Sequence, residues 1–355
     1  MSKIISFPHL GDYYIPISEF LKRTTKATIK PSPPITKKTI ALGAKYAPDT
    51  VCLPFKYNLG NFLESLEGGA NILFTAGGGC RYRYYAEVTE TILRDLGYNF
   101  EFHSLVTKGK INFKNIYQDF KKINPNLKLT TFIHSGLYTL IFIWDMDKID
   151  TIIRKNIGFE QTPNTHINLK KKMLNAFKNT NSIFKLTFLY FRYKHLFKKI
   201  PINKPNNCLK VAIIGELYTA MEPFSTYFLE KELASMNIEI KRYTNLSYLL
   251  WQKKFKTKHM LKKTKKYCKY TLGADGLDNV YRTLDLINKK YDGIIHTKPF
   301  GCTPEVGAIP IIQKICKEYE MPIIFLSYDT ETSNEGIKTR LEAFYDLLNI
   351  RRNKK

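Results

Sequence analysis

The sequence lacks the segments that direct a chain into or across a membrane. Its first residues, MSKIISFPHLGDYY, have no basic start, apolar core or small-residue cleavage site of the kind found in signal peptides. The longest apolar run, LYTLIFIW at positions 137–144, is far shorter than the roughly 20 residues that a membrane helix needs. We therefore expect a cytoplasmic protein with no membrane partner.

Cysteine pairs at the spacing of zinc ribbons or thioredoxin-like redox sites are also absent. The six cysteines stand singly, at positions 52, 80, 208, 268, 302 and 316, and no two of them form a CxxC pair. In a cytoplasmic chain of 355 residues, isolated cysteines favour metal binding, catalysis or plain burial over a disulfide framework.

Acidic residues are few beside the basic ones. The chain has 31 Asp and Glu against 56 Lys and Arg, which gives a formal net charge of +25. Such a charge suits anionic partners, because Lys and Arg neutralise phosphates. The basic residues, however, are concentrated at 167–204 and 252–269, whereas the segments with recognisable loop motifs are nearly balanced. The pattern favours solvated lysine-rich helices over a nucleic-acid partner, and a functional anion-binding face is the alternative.

Short β-branched runs alternate with segments of helical spacing at both ends of the chain. NILFTA precedes YYAEVTETILRDLG near the N-terminus, and YDGIIHT precedes a helix beginning near Pro304 in the second half. This alternation predicts βαβ units and parallel sheets. We expect an α/β protein with two Rossmann-like doubly wound domains, 1–125 and 207–355, separated by a mostly helical, lysine-rich insertion at 126–206.

Three cysteines lie where a ligand site is expected, since open parallel sheets bind ligands at the carboxyl ends of their strands. Cys80 follows the strand NILFTA, and Cys302 follows YDGIIHT with Pro304 and Glu305 opening the next helix. Cys52 lies in an irregular segment that leads into a helix. By contrast, Cys208 precedes a buried-type strand, Cys316 is inside a helix and Cys268 is in a basic run, so we expect plain burial for these three.

Thiolates at helix starts suit iron–sulfur chemistry. A helix start lowers the pKa of a thiol and offers amide hydrogens to a cluster. Gly78 and Gly79, beside Cys80, would let the backbone approach the sulfurs closely. A phosphate-binding loop is the weaker interpretation, because GGGCRY does not satisfy GxGxxG. From these residues alone, a metal site and a structural role stay about equally open.

Several segments, in order, resemble the iron–sulfur component of the 2-hydroxyacyl-CoA dehydratase and benzoyl-CoA reductase family. They are CLPFKYNLGNF, GGGCRYRYYAEV, GELYTAMEPFSTYFLEKEL, KPFGCTPE and TRLEAFYDLL. The segments resemble more closely the stand-alone branch called CoA protein activase, or acyl-CoA dehydratase activase-related protein. The resemblance runs from FPHLGDYY to the last helix and omits only the lysine-rich middle.

The resemblance implies a 4Fe-4S-type iron–sulfur cluster held by three cysteines, whose matching positions here are Cys52, Cys80 and Cys302. It also implies an ATP-dependent activator protein that delivers one electron at low potential, in chemistry linked to acyl-CoA and sensitive to oxygen. It leaves open whether the chain acts on an acyl-CoA itself, and whether it forms a homodimer or pairs with a partner subunit.

The sequence departs from the family pattern at a few positions. Arg83 stands where relatives tend to have glycine, Gly78 and Gly79 stand where they have a Gly-Pro pair, and Asp275 stands near the position of a histidine.

Other residues near the motifs allow two interpretations each. Glu216, Tyr218 and Glu222 could donate hydrogen bonds around a site, carry protons or lie in a solvated loop. Lys56 and Asn58 could face a cluster or, as we slightly prefer, cap a helix. His9 could belong to a site, although a lone histidine is more often packed.

Three functional hypotheses follow from the sequence. The first is an iron–sulfur protein of the dehydratase and activase-related group that transfers electrons at low potential. The second is a subunit of a true acyl-CoA dehydratase or reductase that needs a partner chain. The third is a basic nucleic-acid-binding module with structural cysteines.

Overall fold

The computed structural model of the chain describes residues 2–76, 84–105 and 112–354. The chain divides into an N-terminal unit, Met1–Phe142, and a C-terminal unit, Ile143–Lys355. The division falls within one long helix, Leu129–Asn156. The sequence-derived bounds 1–125, 126–206 and 207–355 stay a prediction.

The N-terminal unit is built on a parallel sheet. Its elements in chain order are β1 (Ile4–Ser6), α1 (Tyr14–Thr25), β2 (Thr28–Ile29), α2 (Lys37–Tyr46), α3 (Leu53–Glu67), β3 (Ile72–Thr75), α4 (Tyr85–Asp95), β4 (Glu101–Ser104), α5 (Phe113–Ile123) and the first part of α6 (Leu129–Asn156). The four strands are ordered β2-β1-β3-β4, and every neighbouring pair is parallel.

Helices cover both faces of this sheet, because successive strand side chains point to opposite sides. Ile72 and Phe74 of β3 pack in a core with residues of α1, α5 and α6. Leu73, between them, packs in a second core with residues of α3 and α4. The result is a three-layer unit in which β1 and β3 are the inner strands.

Helices α2 and α3 approach each other through two glycines. A Cβ atom at Gly43 would lie 1.8 Å from the carbonyl oxygen of Lys56, and one at Gly60 would lie 2.1 Å from that of Thr39. Any larger residue would force the helices apart. Thr36 caps α2 by accepting a hydrogen bond from the Thr39 amide. This packing fixes the position at which α3 begins.

The C-terminal unit repeats the same sheet topology. After the rest of α6, its elements are α7 (Thr165–Lys178), α8 (Ile183–Lys198), β5 (Lys210–Gly215), α9 (Leu217–Met221), α10 (Leu229–Ser235), β6 (Glu239–Arg242), α11 (Lys253–Thr264), α12 (Gly276–Asn288), β7 (Gly293–Pro299), α13 (Thr303–Glu318), β8 (Ile323–Tyr328) and α14 (Asn334–Asn353). The strand order is β6-β5-β7-β8, again entirely parallel.

The inner strands of this second sheet are apolar along most of their length, as expected for strands covered on both faces. Every residue of β7 is buried, as are all but the first of β5. At the end of β5, Gly215 has φ = 135°, and a Cβ atom there would lie 1.9 Å from the carbonyl oxygen of Thr297. Glycine is therefore required where the two inner strands end side by side.

The predicted fold class is confirmed. Two four-stranded parallel sheets with helical layers form the two α/β units, and the stretch from α6 to α8 contains no strand among its described residues. Within the ranges that the structure covers, no helix combines the length and the apolar character needed to cross a membrane.

One buried carboxyl group in α6 makes folding sensitive to pH. Asp145 is buried, its Oδ2 atom has no hydrogen-bond partner among the described residues, and burial raises the pKa of its carboxyl to about 7. Because this pKa exceeds the unfolded value of about 3.9, the folded chain keeps a proton that the unfolded chain releases. The associated stability is complete below about pH 4 and is lost as the pH rises to about 7.

We therefore expect Asp145→Asn to increase the free energy of unfolding by up to about 4 kcal/mol at about pH 8 and to change it little at about pH 4. Urea unfolding followed by circular dichroism at the two pH values would measure this difference. An equal effect at both values would show that Asp145 does not titrate on unfolding.

Candidate functional site

The predicted site residues fall into three groups. Cys52 lies in the N-terminal unit, and Cys302 lies in the C-terminal unit. Cys80, together with its neighbours Gly78 and Gly79 and the variant position Arg83, lies outside the described residues. The geometry is therefore given for Cys52 and Cys302, each within its own unit.

Cys52 is the N-cap residue of α3, and Pro54 occupies the first turn. Its Sγ atom lies 2.6 Å from the hydroxyl oxygen of Tyr85, the first residue of α4. The Tyr85 ring also makes an edge contact with Phe55, with 4.9 Å between ring centroids. Since α4 follows the glycine-rich segment 77–80 in the chain, Cys52 lies beside the helix start nearest in sequence to Cys80.

The preferred interpretation of Lys56 and Asn58 as caps was wrong. Cys52 occupies the N-cap position of α3, and both residues lie inside that helix. The Asn58 Oδ1 atom is buried and has no hydrogen-bond partner in the described ranges.

His9 is packed: its ring stacks on Tyr14 at 5.6 Å, and its backbone amide donates to Asn61 Oδ1 at 2.9 Å.

Cys302 begins α13 in the same way. It is the N-cap residue, it directly follows the tight turn after β7, and Pro304 lies in the first turn, as predicted. Both helix starts therefore read Cys-x-Pro: CLP at 52–54 and CTP at 302–304. Neither cysteine side chain makes a capping hydrogen bond to its own helix. Pro at the second helical position explains part of this, because it has no amide hydrogen to donate.

A lysine that the sequence patterns did not single out lies near Cys302. Lys298, in β7, is only 7% exposed. Burial lowers the pKa of Lys298, whereas Cys302 and Glu305 raise it by electrostatic attraction. In the sequence, Lys298 resembles the many surface lysines, and only its place in a fully buried strand distinguishes it.

A polar cluster of Asn279, His296 and Glu305 lies behind the first turn of α13. His296 and Glu305 are fully buried, and His296 Nε2 lies 2.7 Å from Glu305 Oε2. Asn279 Nδ2 donates to the same carboxylate oxygen at 2.8 Å, and Asn279 Oδ1 accepts from the Gly215 amide at 3.1 Å. This cluster joins the end of β5 and the middle of β7 to α12 and α13, and so positions the helix start that carries Cys302.

The end of β5 carries acidic side chains with defined partners. Glu216 caps α9, accepting hydrogen bonds from the amides of Tyr218 and Thr219. Burial raises the pKa of Glu216 to about 7, with a smaller contribution from Asp275, although those hydrogen bonds oppose the shift. Glu216 can therefore exchange a proton near neutral pH. Glu222 is buried and caps the 3-10 turn at Pro223–Thr226, so the solvated-loop interpretation fails for it.

Asp275, which departs from the family pattern, also lies at this strand end. Its carboxylate accepts from the Leu217 amide at 3.1 Å and pairs with Lys253 Nζ at 2.6 Å. The aspartate thus holds the start of α9 and the first residue of α11 together.

The three remaining cysteines are all buried, in agreement with the structural role expected for them. Cys268 donates its thiol hydrogen to the Tyr270 carbonyl at 2.9 Å, and burial raises the pKa of the Cys316 thiol to about 12. Cys302 is almost as buried as these three, so exposure alone does not distinguish the candidate ligands from the structural cysteines. The candidates' position at a helix start does distinguish them. None of the five cysteines that the structure describes is in a disulfide.

Complete metal sites are absent from the described part of the chain, where no three or more Cys, His, Asp and Glu side chains come together around one point. The thiols of Cys52 and Cys302 are nevertheless the kind of ligand that an iron–sulfur cluster takes. Each described candidate offers a thiol at a helix start, where the helix dipole favours an anion.

The fold and the site define the class, which is a doubly wound α/β protein with cysteines at helix starts. One of these cysteines, Cys302, follows the inner strand β7. Within that class, the family model described as 2-hydroxyglutaryl-CoA dehydratase, D-component, matches residues 255–348. The matched segment, which includes Cys302, is similar to this family, and the match confirms the resemblance to the 2-hydroxyacyl-CoA dehydratase family at that coarse level. Cys52 and Cys80 lie outside the match. A comparison with curated proteins gives no match.

Proposed function

We propose that the chain is an iron–sulfur protein of the 2-hydroxyacyl-CoA dehydratase and activase-related group. Cys52, Cys80 and Cys302 would hold a 4Fe-4S-type cluster for low-potential electron transfer linked to acyl-CoA chemistry. The observation that carries this proposal is the repeated Cys-x-Pro helix start, in which Cys52 and Cys302 are N-cap residues that do not cap their own helices.

The helix starts favour thiolates. The first amides of a helix have no intrahelical acceptors, and the helix dipole adds partial positive charge at that end. Both effects lower the pKa of a thiol and stabilise an anionic ligand. Lys298 adds a buried positive charge near Cys302. The chain would therefore supply positive charge where a negatively charged iron–sulfur centre needs it.

A bound cluster would supply one-electron transfer at a potential set by thiolate charge, amide hydrogen bonds and solvent exposure. In the C-terminal unit the chain would largely exclude water from the cluster, because Cys302 is only 9% exposed. Glu216, with its pKa of about 7, could hold or release a proton at the end of β5.

The proposed partners come from the family resemblance. An ATP-dependent activator protein would deliver the electron, and an acyl-CoA would be the eventual acceptor. The D-component description of the matched family favours a partner subunit. A subunit of a true dehydratase or reductase is therefore the second candidate, and a homodimer would be the alternative assembly.

Anaerobic reconstitution of the full chain with ferrous iron and sulfide tests the proposal. We expect a brown protein with about four iron atoms and four sulfides per cluster, and with broad sulfur-to-iron absorption. A colourless chain that retains no iron after desalting would contradict it. If that chain also bound DNA with a steep dependence on salt, the basic nucleic-acid module would become the better hypothesis.

A further inference from the structure

Helix α8 exposes a stripe of phenylalanines, defined as Phe184, Phe188 and Phe191. Their exposed fractions are 89%, 67% and 59%, unusually high for large apolar side chains. Spacings of four and three residues place them on one face of the helix. The other side of α8 is packed, since Leu186 and Phe197 are buried. The helix therefore has two apolar faces, one in the core and one in solvent.

Cations flank the phenylalanine stripe on both sides. At about 100° per residue, Lys185 and Arg192 lie along one edge and Lys198 lies along the other. All three are exposed. The stripe is thus an apolar centre with basic borders.

The surrounding sequence contains no acidic residue to balance these cations. Positions 161–215 hold eleven lysines and arginines and no aspartate or glutamate. Two of these cations lie away from α8 and are paired, Lys170 with Asp150 and Lys204 with Glu239. The cations that border the stripe on α8 itself complement an anionic surface and repel a second copy of the same chain. Self-association through the stripe is therefore disfavoured.

We propose that α8 binds the surface of an anionic lipid bilayer. Exposed phenylalanines bordered by Lys and Arg are the pattern of helices that lie in the membrane interface, with apolar side chains among the acyl chains and cations at the headgroups. A nucleic acid fits less well, because a helix that reads base edges presents hydrogen-bonding side chains at its centre. Here the centre is three phenylalanines.

The sequence-based expectation of no membrane partner rested on the absence of a spanning segment. A helix that lies on the surface needs no such segment. In the sequence, α8 is apolar around most of its circumference, so the pattern alone does not identify the exposed face. The structure shows which phenylalanines reach solvent.

Co-sedimentation of the purified full chain with vesicles tests this inference. The vesicles would contain phosphatidylcholine alone, or equal amounts of phosphatidylcholine and phosphatidylglycerol. We expect binding to the anionic vesicles only. The combined substitution Phe184→Ser, Phe188→Ser and Phe191→Ser, which leaves the charge unchanged, should weaken that binding about tenfold or more.

A matched control replaces three exposed apolar residues elsewhere, Tyr270→Ser, Leu347→Ser and Ile350→Ser, and should bind as the wild type does. Circular dichroism would verify that both triple variants are folded. The inference fails if the wild type ignores anionic vesicles or if the phenylalanine variant binds them equally well. It also fails if a single-stranded oligonucleotide displaces the vesicles and depends on the same phenylalanines.

Discussion

Serine in place of Cys52 or Cys302 is expected to remove most of the iron that the reconstituted wild-type chain holds, and Cys80→Ser should do the same. Serine preserves size, but its hydroxyl stays protonated near neutral pH and is a poor replacement for a soft thiolate ligand. The two described positions are N-caps whose side chains do not cap their helices, so helix stability should change little. Iron and sulfide counts after anaerobic reconstitution would measure the effect.

The other three cysteines provide matched controls within the same chain. Cys208→Ser, Cys268→Ser and Cys316→Ser change buried thiols that lie away from helix starts, and we expect nearly wild-type iron content in each. Circular dichroism spectra would identify any variant that fails to fold. Equal iron in all six variants would end the three-cysteine proposal while leaving the fold assignment intact.

Glu305→Ala is expected to lower the free energy of unfolding by about 3–5 kcal/mol. Glu305 and His296 have no exposed surface, and Glu305 Oε2 serves both His296 Nε2 and Asn279 Nδ2. Truncation would leave both nitrogen atoms buried without that acceptor. It would also remove a side chain that links the first turn of α13 to the inner strand β7.

Two variants make this result specific. Glu305→Gln keeps the size and one acceptor oxygen, so its effect should be clearly smaller. Glu342→Ala removes an exposed glutamate from α14 and should have little effect. Urea unfolding followed by circular dichroism would compare all three. If Glu305→Ala and Glu342→Ala had the same midpoint, the buried cluster would not contribute to stability.

Much of the fold could be predicted from local patterns. The apolar strands β3, β5 and β7 can be predicted because each is a β-branched run followed by a segment with clear helical spacing. Strand β2, with only Thr28 and Ile29, is too short to show the period of two that identifies a strand. Its existence depends on pairing with β1, which is a tertiary property.

The candidate site could be predicted in part. The sequence distinguishes Cys302 from Cys316, because Pro304 indicates that a helix begins just after Cys302, whereas Cys316 lies inside that helix. Contacts that depend on the three-dimensional arrangement leave no such signal. Asn279 and Glu305 are 26 residues apart and meet only through the packing of α12 against α13. The burial of Lys298 likewise depends on the helices that cover β7.

The phenylalanine stripe of α8 also has a consequence for handling the purified protein. Electrostatic repulsion between the surrounding cations should keep chains dispersed in dilute buffer. At physiological ionic strength the Debye length is only about 8 Å, and concentrated salt shortens it further. Screening would then allow stripes on different molecules to meet, so we expect the protein to precipitate more readily in high salt than a typical cationic protein.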